Sequence, residues 1–227
     1  MPKKPTALII LDFLSLILVP AAVVLIVSFT PVEAVMGPVQ KVFYFHVSAA
    51  WAGMAGFILG AVAGAGYLLT RRMRWDWLST SAIEVGLVFA IIAILSGMIW
   101  ARPIWNTWWV WDPRLTTTAI MTLIYLAYFI LRAGLGTPEA QARLGGVYAI
   151  LAVLTVPLTF FSIRLFRTIH PVVIAPSGEA GSAFSMTPRM LTALFASLFV
   201  FTILLADLVW HRYRLAQLQQ GAEKEVE

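Results

Sequence analysis

The chain has no cysteine among its 227 residues and little charge, since only 12% of its residues are Asp, Glu, Lys or Arg. The absence of cysteine excludes disulfide bonds, thiolate metal ligands and dithiol exchange from its chemistry. The low charge accompanies 60% hydrophobic residues and a mean hydropathy of +0.86. A soluble core of this size could not bury so much apolar surface, so the composition predicts an integral membrane protein.

Basic residues outnumber acidic ones by 16 to 11, which gives a net charge of +5. The Lys and Arg residues lie in short clusters between apolar stretches rather than along one continuous face. This pattern predicts a membrane topology signal and lipid contact, and it disfavours nucleic-acid binding.

A membrane crossing needs roughly 20 apolar residues. The first apolar stretch is longer than that of a secretory signal, so we interpret it as a retained span. We predict an all-α polytopic protein with six transmembrane helices, in which residues 1–227 form a single membrane domain. The six spans are predicted at residues 6–29, 43–69, 78–100, 115–131, 144–166 and 189–210.

The distribution of positive charge predicts the orientation of the spans. With the N-terminus in the cytoplasm, ten Lys and Arg residues lie inside and six outside, and the cluster at residues 71–74 is the strongest signal. Both termini are then cytoplasmic. Three connections face outward, at residues 30–42, 101–114 and 167–188, and the third is rich enough in Pro and Gly to be irregular.

The middle outward connection is dense in tryptophan, because five of the nine tryptophans lie between Trp100 and Trp111. An aromatic belt that anchors a helix end needs only one or two rings. The density therefore favours a platform for a flat, apolar and partly polar ligand. If residues 105–111 are helical, Trp105, Trp108 and Trp109 share one side, Trp111 points away, and the segment lies along the membrane surface on the outer face.

Three histidines are present, and the predicted topology separates them. His46 begins the second span on the outer side, His170 lies in the third outward connection, and His211 follows the last span inside. Neutral imidazole is a common ligand of iron, zinc and copper, and a facing pair suits the axial positions of a haem. A single interfacial histidine is more often an amphipathic residue in the headgroup zone, but the joint arrangement favours His46 and His170 as a ligand pair.

Charged residues flank the tryptophans. Arg102 and Arg114 bracket the segment, and a guanidinium pairs well with the carboxylates that a porphyrin carries. Asp112 has two interpretations that stay open: a contact in the site, or the N-cap of the fourth helix, where Pro113 suits the first helical position.

Within the spans, some residues predict packing rather than chemistry. Pro157 predicts a local kink in the fifth span. Glu84 lies about 9 to 10 Å along the third helix and has to pair or face a cavity. Close helix approach is predicted by glycines at three- and four-residue steps in the second span, which are Gly53, Gly56, Gly60 and Gly64.

The segment from Trp105 to Thr116, with its ending Trp-Trp-Val-Trp-Asp-Pro-Arg-Leu-Thr, resembles the tryptophan-rich signature of the haem-handling membrane proteins of cytochrome c maturation. Within these, it is most similar to the haem exporter protein C (CcmC) family. The resemblance covers essentially the whole chain: six spans, a basic inner loop after the second, the signature between spans three and four, and one histidine in each flanking outer region.

The resemblance implies that haem b is bound as cargo on the periplasmic face of a bacterial inner membrane. It implies that His46 and His170 are the axial ligands of the haem iron. It also implies transfer of haem to a periplasmic haem chaperone, and assembly with an ATP-binding subunit, a second membrane subunit and a small single-span subunit. The remaining cofactor-binding residues predicted are Trp105, Trp108, Trp109, Trp111, Asp112, Arg102 and Arg114.

Other functions compete with a haem-transfer subunit that is not an enzyme. One is a synthase-like enzyme that attaches haem directly to apocytochrome, although such proteins resemble this chain less because they are generally larger. Another is a structural subunit of a haem transporter. A cytochrome b type electron carrier is disfavoured, because no histidine lies in the middle of a predicted span.

Overall fold

The computed structural model describes residues 3–34, 36–170 and 186–226, with side chains up to residue 220. These residues form helices and no β-strand. One turn of 3-10 helix (Pro38–Lys41) leads into the second α-helix. The α-helices are α1 (Thr6–Phe29), α2 (Val42–Thr70), α3 (Met73–Trp105), α4 (Pro113–Ala133), α5 (Pro138–Ala152), α6 (Thr155–Leu165) and α7 (Pro188–Val226).

Six helical stretches in the described part of the chain are long and apolar enough to cross a membrane, and α5 and α6 together supply one of them. The predicted number and order of spans are therefore confirmed, and the chain is a multi-pass membrane protein. The fifth span is interrupted at Val153 and Leu154. Pro157 explains the interruption, because it has no N–H to donate to the carbonyl of Val153.

Several helices extend beyond their predicted ends, and the fifth span, predicted to begin at 144, begins at Pro138. The third span, predicted at 78–100, is helical from Met73 to Trp105. The last, predicted to end at 210, continues as α7 to Val226, because the Ala, Gln, Glu and Lys residues that follow are good helix formers. In the third outward connection, residues 171–185 lie outside the described residues, and the described residues 166–170 are not helical.

The centre of the bundle is the contact between α2 and α3, which depends on glycine. A Cβ added at Gly56 would lie 2.8 Å from the Cα of Gly86, and one at Gly53 would lie 3.1 Å from the backbone nitrogen of Ala90. The Ser79 hydroxyl, farther along, donates to the carbonyl of Gly60 over 2.7 Å. The prediction that these glycines permit close helix approach is confirmed.

Ion pairs join helices at the end of the bundle opposite the tryptophans. Arg132 on α4 donates to both carboxylate oxygens of Asp76 on α3, over 2.6 and 2.9 Å. Arg212 on α7 donates through Nε to Glu84 over 2.9 Å. Of the two alternatives given for Glu84, pairing or facing a cavity, the structure shows pairing, which connects α3 with α7.

The close contact of Gly56 with Gly86 leads to a prediction about stability. Gly56→Ala should destabilise the protein by about 1–3 kcal/mol, because the added methyl group meets backbone atoms that cannot rotate away. The measurement is the thermal unfolding midpoint of the purified protein in detergent. Gly136→Ala is the matched control, since a Cβ there meets nothing within 4 Å. Equal midpoints for the two variants would contradict the prediction.

Candidate haem-binding cavity

A cavity opens at the end of the bundle where α2 and α4 begin and α3 ends. The walls are mainly aromatic and apolar, with two imidazoles and one guanidinium. Among the lining residues are His46, Met54, Met98, Trp100, Trp105, Trp108, Trp109, Arg114, Met121 and His170.

His46 is held in the cavity wall by the backbone of α3. Its Nδ1 lies 2.8 Å from the carbonyl oxygen of Ala93. Because a carbonyl only accepts, Nδ1 carries the hydrogen, and Nε2 keeps the lone pair with which a neutral imidazole binds a metal. Gly97 makes room for the ring, since a Cβ there would lie 2.8 Å from Cε1 of His46.

His170 lies across the cavity from His46, in the irregular segment after α6. The centres of the two imidazole rings are 6.3 Å apart and their planes are inclined by 40°. The ring of Trp105 is 6.5 Å from that of His170. The backbone N–H of His170 donates to the hydroxyl of Thr168 over 3.1 Å. The fold therefore brings together the two histidines predicted as a pair.

The helix proposed for residues 105–111 is wrong. Trp105 is the last residue of α3, and the chain then turns at Asn106, which has a φ of 54°. Asparagine tolerates this left-handed conformation, which ends the helix. At the other end Pro113 holds Asp112 in an extended conformation. Residues 106–112 therefore form an irregular connection.

The turn nevertheless places the tryptophans in two different environments. Trp105, Trp108 and Trp109 line the cavity, whereas Trp111 is 76% exposed and is not among the described residues that line it. The indole N–H groups of Trp100 and Trp109 are buried without an acceptor in the described part of the chain. Both rings are in the wall, so a ligand with acceptor atoms could satisfy these donors.

The charged residues of the segment have separate positions. Arg114 lines the cavity, and its Nη1 donates to the backbone carbonyls of Thr159 and Phe160 on α6. Arg102 instead donates to the carbonyl of Asn106 over 2.8 Å and is not among the described lining residues.

Asp112 is also not among the described residues that line the cavity. Its Oδ1 accepts the backbone N–H of Leu115 over 2.8 Å, which makes it the N-cap of α4, one of the two interpretations left open. Its Oδ2 accepts the hydroxyl of Thr168. The carboxylate thus connects the start of α4 with the segment that carries His170.

Sequence reasoning missed several residues of the site. Met54, Met98 and Met121 line the cavity, and Gly97 gives His46 its space. No sequence signal marks them, because their roles arise from contacts between helices. Thr168 had a local signal, since a threonine two residues before a functional residue can accept its backbone N–H in a turn.

The site combines aromatic walls, a facing imidazole pair, one guanidinium and indole donors. Such a set can hold a planar, largely apolar metal complex that carries acidic groups. The chemistry of the donors therefore fits a metalloporphyrin.

Comparison with known proteins agrees with the architecture. The family model described as "Heme exporter protein C" matches residues 4–227. Three curated proteins of that name are similar to the chain: one from Escherichia coli K12 is 30% identical over 189 residues, covering 82% of this chain and 74% of the relative. One from Bradyrhizobium diazoefficiens is 28% identical over 201 residues, which covers 86% of this chain and 76% of the relative.

The third relative, from Haemophilus influenzae, is 27% identical over 212 residues, which covers 93% of this chain and 85% of the relative. The match of the family model includes all six spans, the tryptophan segment and both histidines of the cavity. The chain therefore belongs to the haem exporter protein C family.

Proposed function

We propose that this chain binds haem between His46 and His170 and delivers it for cytochrome c maturation. The observation that carries the proposal is the proximity of two imidazoles, whose ring centres are 6.3 Å apart, in the wall of one aromatic cavity. Two imidazoles that bind one metal ion from opposite sides, each through a bond of about 2.0 Å, have ring centres about 6 Å apart. The family name, which describes a haem exporter, supports the same cargo.

The aromatic walls supply most of the binding energy in this proposal. Burying roughly 300 Å² of porphyrin surface against Trp105, Trp108 and Trp109 contributes about 7 kcal/mol before entropic costs. Haem is then held firmly enough for capture and weakly enough for release. Haem b is the proposed form of the cargo, because the chain has no cysteine to attach it covalently.

The acidic groups of haem face Arg114 in this arrangement. Both of its hydrogen bonds to α6 use Nη1, so the other guanidinium nitrogens can donate to a propionate. The N–H of Trp109, which is buried without an acceptor in the described residues, is a second donor. Arg102, Trp111 and Asp112 are proposed to support the site from outside the cavity.

The two histidines lie on different kinds of backbone, which favours transfer rather than permanent storage. His46 is part of α2 and is bound to the backbone of α3, whereas His170 belongs to an irregular segment. We infer that His170 gives way when an acceptor supplies its own ligand. The acceptor is a periplasmic haem chaperone, and the chain acts as a transfer subunit rather than an enzyme.

The proposed setting is a bacterial inner membrane, with both termini in the cytoplasm and the cavity at the periplasmic face. The excess of basic residues at the opposite end supports this orientation. The proposed assembly includes an ATP-binding subunit, a second membrane subunit and a small single-span subunit.

Ligation by the two histidines is tested by substitution. His46→Ala and His170→Ala should each shift the haem absorption spectrum, because the iron loses one axial nitrogen, and each should block delivery to c-type cytochromes. The measurements are spectra of the purified protein and cytochrome content of the cells. His211→Ala, at the opposite end of the bundle, is the control. Wild-type spectra in both cavity variants would refute the ligation.

The position of the His46 ring is tested from α3. Gly97→Ala should reduce haem occupancy about tenfold, since its methyl group displaces the imidazole. Haem content per purified protein measures the effect, with Gly136→Ala as the matched control. Full occupancy in the Gly97 variant would mean that the ring does not bind the iron from this position.

The orientation is tested with reporter fusions. An enzyme that is active only in the periplasm should be active when fused after Thr107 and inactive when fused after Gly136 or at the C-terminus. The physical reason is the excess of basic residues on the loops at the end away from the tryptophans. The reverse pattern would place the cavity in the cytoplasm.

A further inference from the structure

His170 poses a structural problem that His46 does not. The helix before it, α6, ends at Leu165, and the described residues between that helix and His170 are irregular. An iron ligand on such a segment loses conformational freedom on binding, and the loss weakens the bond unless other contacts have already fixed the segment. Contacts that hold this segment therefore decide how well His170 can bind.

Three hydrogen bonds in series provide such contacts. The backbone N–H of His170 donates to Oγ1 of Thr168 over 3.1 Å, and the same hydroxyl donates its hydrogen to Oδ2 of Asp112. The other oxygen, Oδ1, accepts the backbone N–H of Leu115 over 2.8 Å. The direction is fixed, because a carboxylate only accepts, so the hydroxyl has to donate to Asp112 and is left to accept from His170.

We propose that Asp112 and Thr168 are positioning residues that hold His170 in place for ligation, and that Asp112 acts through Thr168 rather than by touching the cargo. This inference rests on the proposed function of His170 as an iron ligand. Asp112 is anchored to the first turn of α4, which also carries Arg114. One carboxylate therefore couples the start of a rigid helix to an irregular segment 56 residues further along the chain.

A carboxylate at position 112 gives the strongest link to Thr168. A charged acceptor gives a stronger hydrogen bond than a neutral one, and it polarises the hydroxyl of Thr168. Asparagine would still cap a helix well through its oxygen, and its NH2 group would donate to the Thr168 hydroxyl, which can still accept from His170, but this hydrogen bond is neutral and therefore weaker. Asp112→Asn should therefore keep α4 and weaken, without removing, the contact that holds the segment of His170.

The central test uses the full chain, purified in detergent and loaded with haem. Thr168→Val removes the hydroxyl at nearly constant shape. It should lower haem affinity about tenfold, as is typical when a group that orients a metal ligand is lost, and it should move the absorption spectrum toward that of His170→Ala. Asp112→Asn should change the affinity and the spectrum in the same direction but by less, because a neutral hydrogen bond to Thr168 remains. Thr168→Ser, which keeps the hydroxyl, should restore the wild-type spectrum.

A general loss of structure would not follow that pattern, and double variants separate the two explanations. Thr168→Val should add nothing to His170→Ala, because the ligand it positions is already absent. Combined with His46→Ala, it should have its full effect. Thr192→Val is the matched control, since Thr192 is exposed near the start of α7 and its hydroxyl donates to the carbonyl of Pro188.

The outcomes distinguish this inference from the function on which it rests. If His170→Ala changes the spectrum but Thr168→Val does not, or if Thr168→Val acts equally in both histidine backgrounds, the positioning role is overturned and haem ligation stands. If His170→Ala leaves the spectrum of the wild type intact, ligation by His170 fails, and the positioning role fails with it.

Discussion

The close approach of α2 and α3 is the constraint on which the rest of the molecule depends. At Gly53 and Gly56 the backbone of α2 lies nearly in contact with the backbone of α3 at Gly86 and its neighbours. Nearer the tryptophan end of the bundle, the same closeness of α2 and α3 places His46 within hydrogen-bonding distance of the Ala93 carbonyl. The absence of side chains at these glycines therefore allows both the close packing of α2 against α3 and the hydrogen bond that sets the tautomer of His46.

Much of the architecture could be predicted from the sequence, because apolar length and clustered charge determine spans directly. The cavity was partly predictable: His46, His170 and three of the four predicted tryptophans line it, whereas Trp111 is not among the described lining residues. The irregular course of residues 106–112 was not, because it depends on the left-handed conformation of Asn106 and on Pro113. Helical spacing alone cannot reveal such a turn.

The roles of individual charges were the hardest to predict, because they depend on which group is nearest in space. Arg102 and Arg114 look equivalent in the sequence. Arg102, however, donates to the C-terminal end of its own helix, whereas Arg114 donates to a carbonyl of α6. Glu84 likewise could have faced a cavity, and its pairing with Arg212 depends on the continuation of α7 past residue 210.

The length of α7 has a mechanical consequence. Its 39 residues correspond to about 58 Å, whereas the hydrocarbon core of a bilayer is about 30 Å thick. Because the helix starts on the side of the tryptophans, its far end projects into water well beyond the opposite headgroups. An affinity tag attached there would stand clear of both the lipid and the aromatic pocket, so the chain could be immobilised by that end while the pocket stays accessible.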